Sequence, residues 1–358
     1  MTELLKDRYN AQFLSSLCEK LSEQYAEFDH SGFSAAVFDE SWEEKELKQR
    51  MGHIAVCLDA FLPMKYEAAL EILKPVSSHF SGFEPMIFPD FVERFGQKEY
   101  LLSVNALAHF TQFSSSEFAV RPFIINDLER MMKQMADWAA SDNHHVRRLA
   151  SEGCRPRLPW AMALPDFKKD PSAILPILER LKNDPSEYVR RSVANNLNDI
   201  AKDNPDVVLG VATRWLGETE NTDKLVKHAC RTLLKKGEPK AMMLFGYAPP
   251  VNLSLMHFSL DEVVKMGEML SFSFELKSEN SLGKIRIEFA VHFVKSNKSL
   301  SKKVFKIGEG NFSGNKKSIK KTFSFSPIST RKYYTGEHRL EIIVNGVSLA
   351  EKGFVLSH

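Results

Sequence analysis

The sequence predicts a mainly α protein, an α-solenoid of paired helices that ends in a β-sandwich, and three observations carry that expectation. Apolar residues recur at helical spacing to about residue 240. Along the same stretch a short motif returns, a valine followed by basic or imidazole side chains. Beyond Tyr247-Ala248-Pro249-Pro250 the texture changes to alternating apolar and polar residues.

The helices come first. Leu14, Leu17, Cys18 and Leu21 lie at helical spacing, and Ala60, Met64, Ala68, Leu70 and Ile72 predict a further helix. Turn signals at Asp29 to Gly32, Ser81-Gly82 and Phe88-Pro89-Asp90 separate such stretches, and Pro63 and Pro75 bound or bend helices. The repeated motif is clearest at Val146, Val189 and Val226, with a weaker copy at Val120, so the intervals are 26, 43 and 37 residues. Each clear copy follows another apolar helix: Phe123 to Ala140, Ala173 to Leu181, Val207 to Leu216. Paired helices at irregular spacing near 40 residues are the signature of HEAT-like repeats. Such pairs stack into a curved solenoid whose concave face is formed largely by the second helices. Residues 1–247 are assigned to this domain.

Helical phase then singles out residues. In the copy at Val189, Val193, Leu197 and Ile200 complete an apolar stripe, and Arg191, Asn195 and Asp199 lie on a different side at i, i+4 and i+8. The equivalent offsets hold Arg148 and Glu152 in the copy at Val146, and His228, Thr232 and Lys236 in the copy at Val226. One polar ladder per repeat predicts a face lined with basic side chains and two carboxylates. The pairs Arg147-Arg148 and Arg190-Arg191 cannot turn both members to the core. One of each pair fits the role of tying neighbouring repeats together through an aspartate, and the other fits phosphate binding. Glu152 and Asp199 oppose the electrostatics of such a face. Either they meet a positive charge on a substrate, or they pair with Arg148 and Asn195 one turn back. Trp138 and Trp215 end apolar helices and read as core. Trp160 follows Pro156 and Pro159 on a broken segment, where a rigid loop can present an indole whose face attracts cations by roughly 0.5–2 kcal/mol.

Residues 248–358 form the second part. The segments SFSFELKS, KIRIEFAVHFV, KKVFKIGEG, IKKTFSFSP, EHRLEIIV and SLAEKGFVL predict six or seven strands in an immunoglobulin-like β-sandwich. From Val251 onward there are 17 Lys and Arg against 10 Asp and Glu, whereas the whole chain carries only +2. This asymmetry predicts an anionic partner for the β-module, with Lys316 and Lys317 in its most basic stretch. Cys18, Cys57, Cys154 and Cys230 are widely spaced, which predicts neither a zinc site nor a disulfide framework and fits reduced thiols in a cytoplasmic protein. The N-terminus carries acidic residues early and does not read as a signal peptide, and no run is long enough to span a membrane.

The segments SEGCRPRLPWAMALPDFKKDP and VRRSVANNLNDIAKDNPD resemble the core motifs of the AlkC branch of the AlkC/AlkD DNA alkylation repair family. LLKDRYNAQFLSSLCEKL and MGHIAVCLDAFLP are similar to that branch as well, so the resemblance covers about residues 1–245, and the basic β-module resembles the immunoglobulin-like domain of one AlkC subgroup. The resemblance implies a monomeric, cofactor-free and metal-free glycosylase that removes cationic N3-methylated bases, 3-methyladenine and 3-methylcytosine, from alkylated double-stranded DNA. It implies acidic active-site positions at Glu152, Asp199 and Glu117 and an aromatic one at Trp160. Helical phase does not support Glu117 independently. Arg148, Arg155, Arg157, Arg190, Arg191, Lys227, His228, Lys316 and Lys317 are the expected DNA-binding residues. The competing expectation is a non-catalytic HEAT-repeat scaffold that binds DNA or protein. A lyase or a magnesium nuclease is disfavoured, since the ladder holds neither an obvious Schiff-base lysine nor a magnesium-binding carboxylate cluster.

Overall fold

A computed structural model describes residues 4–328 and 331–358. It divides into two compact units, Met1–Ala229 and Cys230–His358. The first unit is helical: α1 (Ala11–Gln24), α2 (His30–Val37), α3 (Leu47–Phe61), α4 (Tyr66–Ser77), α5 (Ile87–Phe95), α6 (Tyr100–Phe110), α7 (Arg121–Asn126), α8 (Leu128–Trp138), α9 (His144–Gly153), α10 (Pro165–Lys169), α11 (Leu175–Leu181), α12 (Glu187–Ile200), α13 (Pro205–Trp215) and α14 (Glu220–Ala229). Helices α8 and α9, α11 and α12, and α13 and α14 form successive pairs, and the second helices α9, α12 and α14 pack side by side. That is the HEAT-like arrangement, in which each pair buries its apolar stripe only by stacking. Val189, Val193, Leu197 and Ile200 are all buried, as are Trp138 and Trp215.

Three sequence expectations are corrected. The stripe from Ala60 to Ile72 is not one helix: α3 ends at Phe61, α4 begins at Tyr66, and Met64 on the connection is fully exposed. Proline at position 63 cannot donate the next helical hydrogen bond. The stretch from Phe123 to Ala140 is broken at Asp127, whose side chain accepts from Arg130 N at 3.2 Å and caps α8. The ladder His228–Thr232–Lys236 does not exist as such, because α14 stops at Ala229 and Thr232 and Lys236 lie on the next helix.

The second unit begins with α15 (Arg231–Lys236) and α16 (Pro239–Leu244) and continues through eight strands: β1 (Leu253–Leu260), β2 (Val263–Lys265), β3 (Met269–Ser278), β4 (Gly283–Val294), β5 (Leu300–Phe312), β6 (Lys316–Ser324), β7 (Gly336–Val344) and β8 (Val347–Ser357). They form a three-stranded sheet, β1-β3-β6, and a five-stranded sheet, β2-β8-β7-β4-β5. Burial alternates along β3, whereas β4 is buried without a break from Ile285 to Val291, and Phe272, Phe274, Phe289, Phe293 and Phe325 fill the space between the sheets. Both α15 and α16 belong to this unit for a specific reason. Gly237 caps α15 at φ +70° and lies against Gly346, in the β7–β8 turn at φ +78°. A Cβ on either glycine would meet the other's backbone within 2.9 Å. Only two glycines allow that approach.

Candidate active site

The site lies on the seam between α9 and α12. Glu152 sits in the last turn of α9, and Asp199 sits near the end of α12. Arg155 follows immediately after α9 ends and folds back between them. Its Nη1 donates to Glu152 Oε1 at 2.6 Å, and its Nε donates to Asp199 Oδ2 at 2.8 Å. The carboxylates are 4% and 1% exposed, so they are held inside the protein and not on its rim. Glu152 Oε2 accepts from Ser192 Oγ at 2.6 Å, and Ser192 in turn accepts from Ser151 Oγ at 2.6 Å. Asp199 Oδ1 accepts from Lys202 Nζ at 2.9 Å. Every carboxylate oxygen of the pair therefore has a fixed donor.

The seam continues toward the N-terminus of α9. Arg148 pairs with Glu117 at 2.5 Å and approaches Glu152 at 3.5 Å, and its Nη1 also donates to Ser115 Oγ at 3.0 Å. Glu117, Arg148, Glu152, Arg155, Asp199 and Lys202 thus form a chain of alternating sign. Burial by itself would lower the pKa values of Arg148 and Arg155, but the flanking carboxylates outweigh it and raise both. Tyr188 lies beneath the Arg148 guanidinium, 4.8 Å from its ring centroid, and His144 and His145 pack against Tyr188. Glu117 joins the chain although helical phase gave no reason to expect it, because it precedes α7 and is not on a repeat helix.

The predicted ladder on α12 is twisted. Steps of four residues advance 400°, so residues eight apart differ by about 80° around the helix. Arg191 is accordingly exposed beside Glu187 while Asp199 is buried. Arg147, the sequence neighbour of Arg148, ties repeats together: its Nε and Nη2 donate to Asp184 at 2.6 and 3.0 Å. Arg190 donates to the backbone carbonyls of Asp184 and Pro185.

After α9 the chain runs irregularly to Leu164. Gly153 is required here for packing, since a Cβ would lie 2.7 Å from Val120 Cγ1. Trp160 has φ +64°, a conformation that costs a bulky residue about 1–2 kcal/mol, and its side chain is 64% exposed. Lys48 donates to the Trp160 carbonyl at 3.1 Å, and Arg121 donates to three other carbonyls of the segment. Ser115, Ser192, Lys202, Lys48 and Arg121 are among the site residues that sequence reasoning did not single out.

The remaining basic candidates are spread out. Arg157 makes a two-pronged pair with Asp203 at 2.9 and 2.6 Å. His228 meets Asn195 Oδ1 at 3.2 Å. A groove of about 440 Å³ between α12 and α14 is lined by Arg190, Arg191, Lys224 and His228, and Lys227 lies on the same helix α14. Lys316 and Lys317 are on β6 of the second unit, with Lys317 over the Phe312 ring. Among the described residues one group has metal-ligand chemistry, His292 with Glu341 and Glu351. Lys302 and Arg339 already pair with those carboxylates at 2.8 and 3.0 Å, so the chain's own cations fill that role.

A second acidic pair, Asp90 and Glu93, lies on α5 near Ser115 and Phe118. Burial pushes the Glu93 carboxyl up to about 7, with Asp90 adding to the effect and Lys48 and Arg94 opposing it. A folded-state pKa raised above the unfolded one stabilises below the unfolded value and is lost as pH rises through the folded value. Glu93→Gln should therefore leave stability unchanged at pH 4 and raise it at pH 8 by roughly 1–3 kcal/mol, measured by urea denaturation at the two pH values.

Residues 109–233 match a family described as DNA alkylation repair enzyme, and residues 254–358 match the C-terminal Ig-like domain of uncharacterised protein YhaZ. The chain is 45% identical over 344 residues to uncharacterized protein YhaZ of Bacillus subtilis (strain 168), covering 96% of each chain. The solved structure of Pseudomonas fluorescens alkylpurine DNA glycosylase AlkC, bound to DNA containing an abasic site analogue, matches with a TM-score of 0.96 and 35% identity, over 99% of this chain and 100% of that one. With likeness of that extent over its whole length, the chain belongs to the DNA alkylation repair enzyme family and carries its AlkC-like fold with a C-terminal Ig-like domain.

Proposed function

We propose that this chain is a DNA glycosylase that hydrolyses the N-glycosidic bond of cationic N3-methylated bases, 3-methyladenine and 3-methylcytosine, in duplex DNA. The observation that carries the reading is the pair of buried carboxylates, Glu152 and Asp199, fixed by one guanidinium at 2.6 and 2.8 Å. Support also comes from the relative AlkC, which is an alkylpurine DNA glycosylase.

The chemistry follows from the charge on the base. Methylation at N3 makes the base a cation, which leaves without being protonated. What must be stabilised is the positive charge that grows on deoxyribose as the bond breaks. Carboxylates held in place beforehand do this without reorganising, and such electrostatic terms are typically the largest in catalysis. Each carboxylate oxygen can accept more than one hydrogen bond, so the Arg155, Ser192 and Lys202 contacts leave acceptor capacity for the sugar and the attacking water. One carboxylate orients or deprotonates that water. Glu117 acts beside them through Arg148. Trp160, with its exposed indole, supplies a π face for the sugar or the cationic base. The backbone of alkylated duplex DNA is held by Arg191, His228 and the groove they border, by Lys227 and Arg157, and by Lys316 and Lys317 of the β-module. The helical unit that ends at Ala229 carries the catalytic residues, and the β-module of the unit that follows contacts DNA.

The test uses two duplexes that differ in one atom of one base: N3-methyladenine and its uncharged 3-deaza isostere. The protein should release free 3-methyladenine and leave an abasic site, while the isostere stays attached. Release of both at similar rates would mean that a general acid drives the reaction. Release of neither would leave a binding scaffold.

A further inference from the structure

The chain contains an arginine that its pairing rules do not explain. Arg121, at the start of α7, is 0% exposed. A buried guanidinium without a carboxylate costs several kcal/mol. Among the described residues Arg121 makes no such pair. Its Nε donates to Met162 O at 2.7 Å, and its Nη1 donates to Gly153 O and Arg155 O, each at 2.9 Å. Its Nη2 has no partner among the described residues, and burial lowers its pKa to about 10. The three carbonyls bracket one stretch of chain. Gly153 and Arg155 stand where α9 ends, and the helix dipole favours a cation there. Met162 stands where the irregular segment returns. Within that bracket lie Arg155, which joins the two carboxylates, and Trp160, which is both strained and exposed. Lys48, exposed on α3 and 112 residues away in sequence, holds the carbonyl of Trp160 itself at 3.1 Å. Its ammonium also lies 4.7 Å from the Phe118 ring centroid. A non-glycine residue stays left-handed only where its surroundings over-determine it, and here Lys48 holds the Trp160 carbonyl directly, Arg121 holds carbonyls on either side of it, and Ala161 N donates to Leu158 O within the segment.

We infer that Arg121 and Lys48 are positioning residues that hold segment 153–162 in shape, so that Trp160 is presented beside a fixed Arg155. The inference rests on the reading of Trp160 as a site residue, and the experiment separates the two.

The whole chain is made as wild type, Lys48→Met, Lys48→Arg, Trp160→Phe and the Lys48→Met/Trp160→Phe double variant, with Arg121→Lys as a second probe of the clamp. Lys48 is exposed, so its loss does not threaten folding. Two readouts are taken: the single-turnover rate of base release, and the fluorescence anisotropy decay of Trp160, obtained as the difference from Trp160→Phe. Trp42, Trp138 and Trp215 are buried, so that difference isolates one indole. Small misplacements of an active-site group cost tenfold or more, so Lys48→Met should slow release about tenfold in the presence of Trp160 and less than about twofold in its absence. The fast component of the Trp160 decay should grow in Lys48→Met and in Arg121→Lys, and Lys48→Arg, which can still reach the carbonyl, should restore both readouts. An equal rate loss with and without Trp160, or an unchanged decay in Lys48→Met, overturns the inference. If Trp160→Phe leaves the rate unchanged, the catalytic reading of Trp160 fails, and the anisotropy decay alone then decides the clamp.

Discussion

Replacing Arg155 with methionine should destabilise the folded protein by about 3–5 kcal/mol, the typical cost of removing one partner from a buried ion network. Arg155 donates to Glu152 and to Asp199, and both carboxylates are almost fully buried. Ser192 and Arg148 remain as partners of Glu152 and Lys202 as a partner of Asp199, but each serves only one of the two carboxylates, and the cation shared by both is gone. Urea denaturation at pH 8 measures the loss. Removing the arginine favours the neutral forms of the carboxyls in the folded state. The destabilisation should therefore shrink as pH falls and protons replace the missing guanidinium. Arg155→Lys should recover part of the stability, because it restores the charge but not the fork that serves two acceptors. A loss below about 1 kcal/mol in Arg155→Met would mean that the carboxylates are adequately held by their other donors.

Much of this arrangement was legible in the sequence. The apolar stripes gave the helices, and the repeated valine motif located α9, α12 and α14, the three that pack side by side. Glu152 and Asp199 could be found because they sit on those helices at polar phases. Arg155 could not be placed in the same way. It lies just past the end of α9, where helical periodicity no longer applies, and its two acceptors are 3 and 44 residues away. Arg121 was hidden in the weakest copy of the motif. No local pattern shows that its fully buried side chain serves backbone carbonyls 32 to 41 residues later. Lys48 reaches Trp160 across 112 residues, and only the fold brings them together. In the β-module, β1 and β2 escaped notice. The register of β1 shifts between Met256 and Ser259, and His257 has φ +53°, so the alternation that marks a strand is interrupted.

The larger effect on activity is expected at the carboxylates themselves. Glu152→Gln and Asp199→Asn keep the size of each side chain and remove its charge. If the charges stabilise the sugar as the bond breaks, each substitution should slow the chemical step by about a hundredfold or more, as the loss of a single preorganised electrostatic group does elsewhere. Neither should weaken binding to undamaged duplex, since phosphate contacts, not the carboxylates, supply most of that affinity. Stability will fall somewhat in both, so each variant is compared below its own unfolding transition.

The most direct measurement of the central claim is the single-turnover rate of 3-methyladenine release from a defined duplex by wild type, Glu152→Gln and Asp199→Asn, with duplex affinity measured on the same samples. The account predicts rapid release by wild type, a fall of about a hundredfold or more in each variant, and unchanged affinity for undamaged DNA. Release by both variants at the wild-type rate would contradict it and remove the buried carboxylate pair from the chemistry.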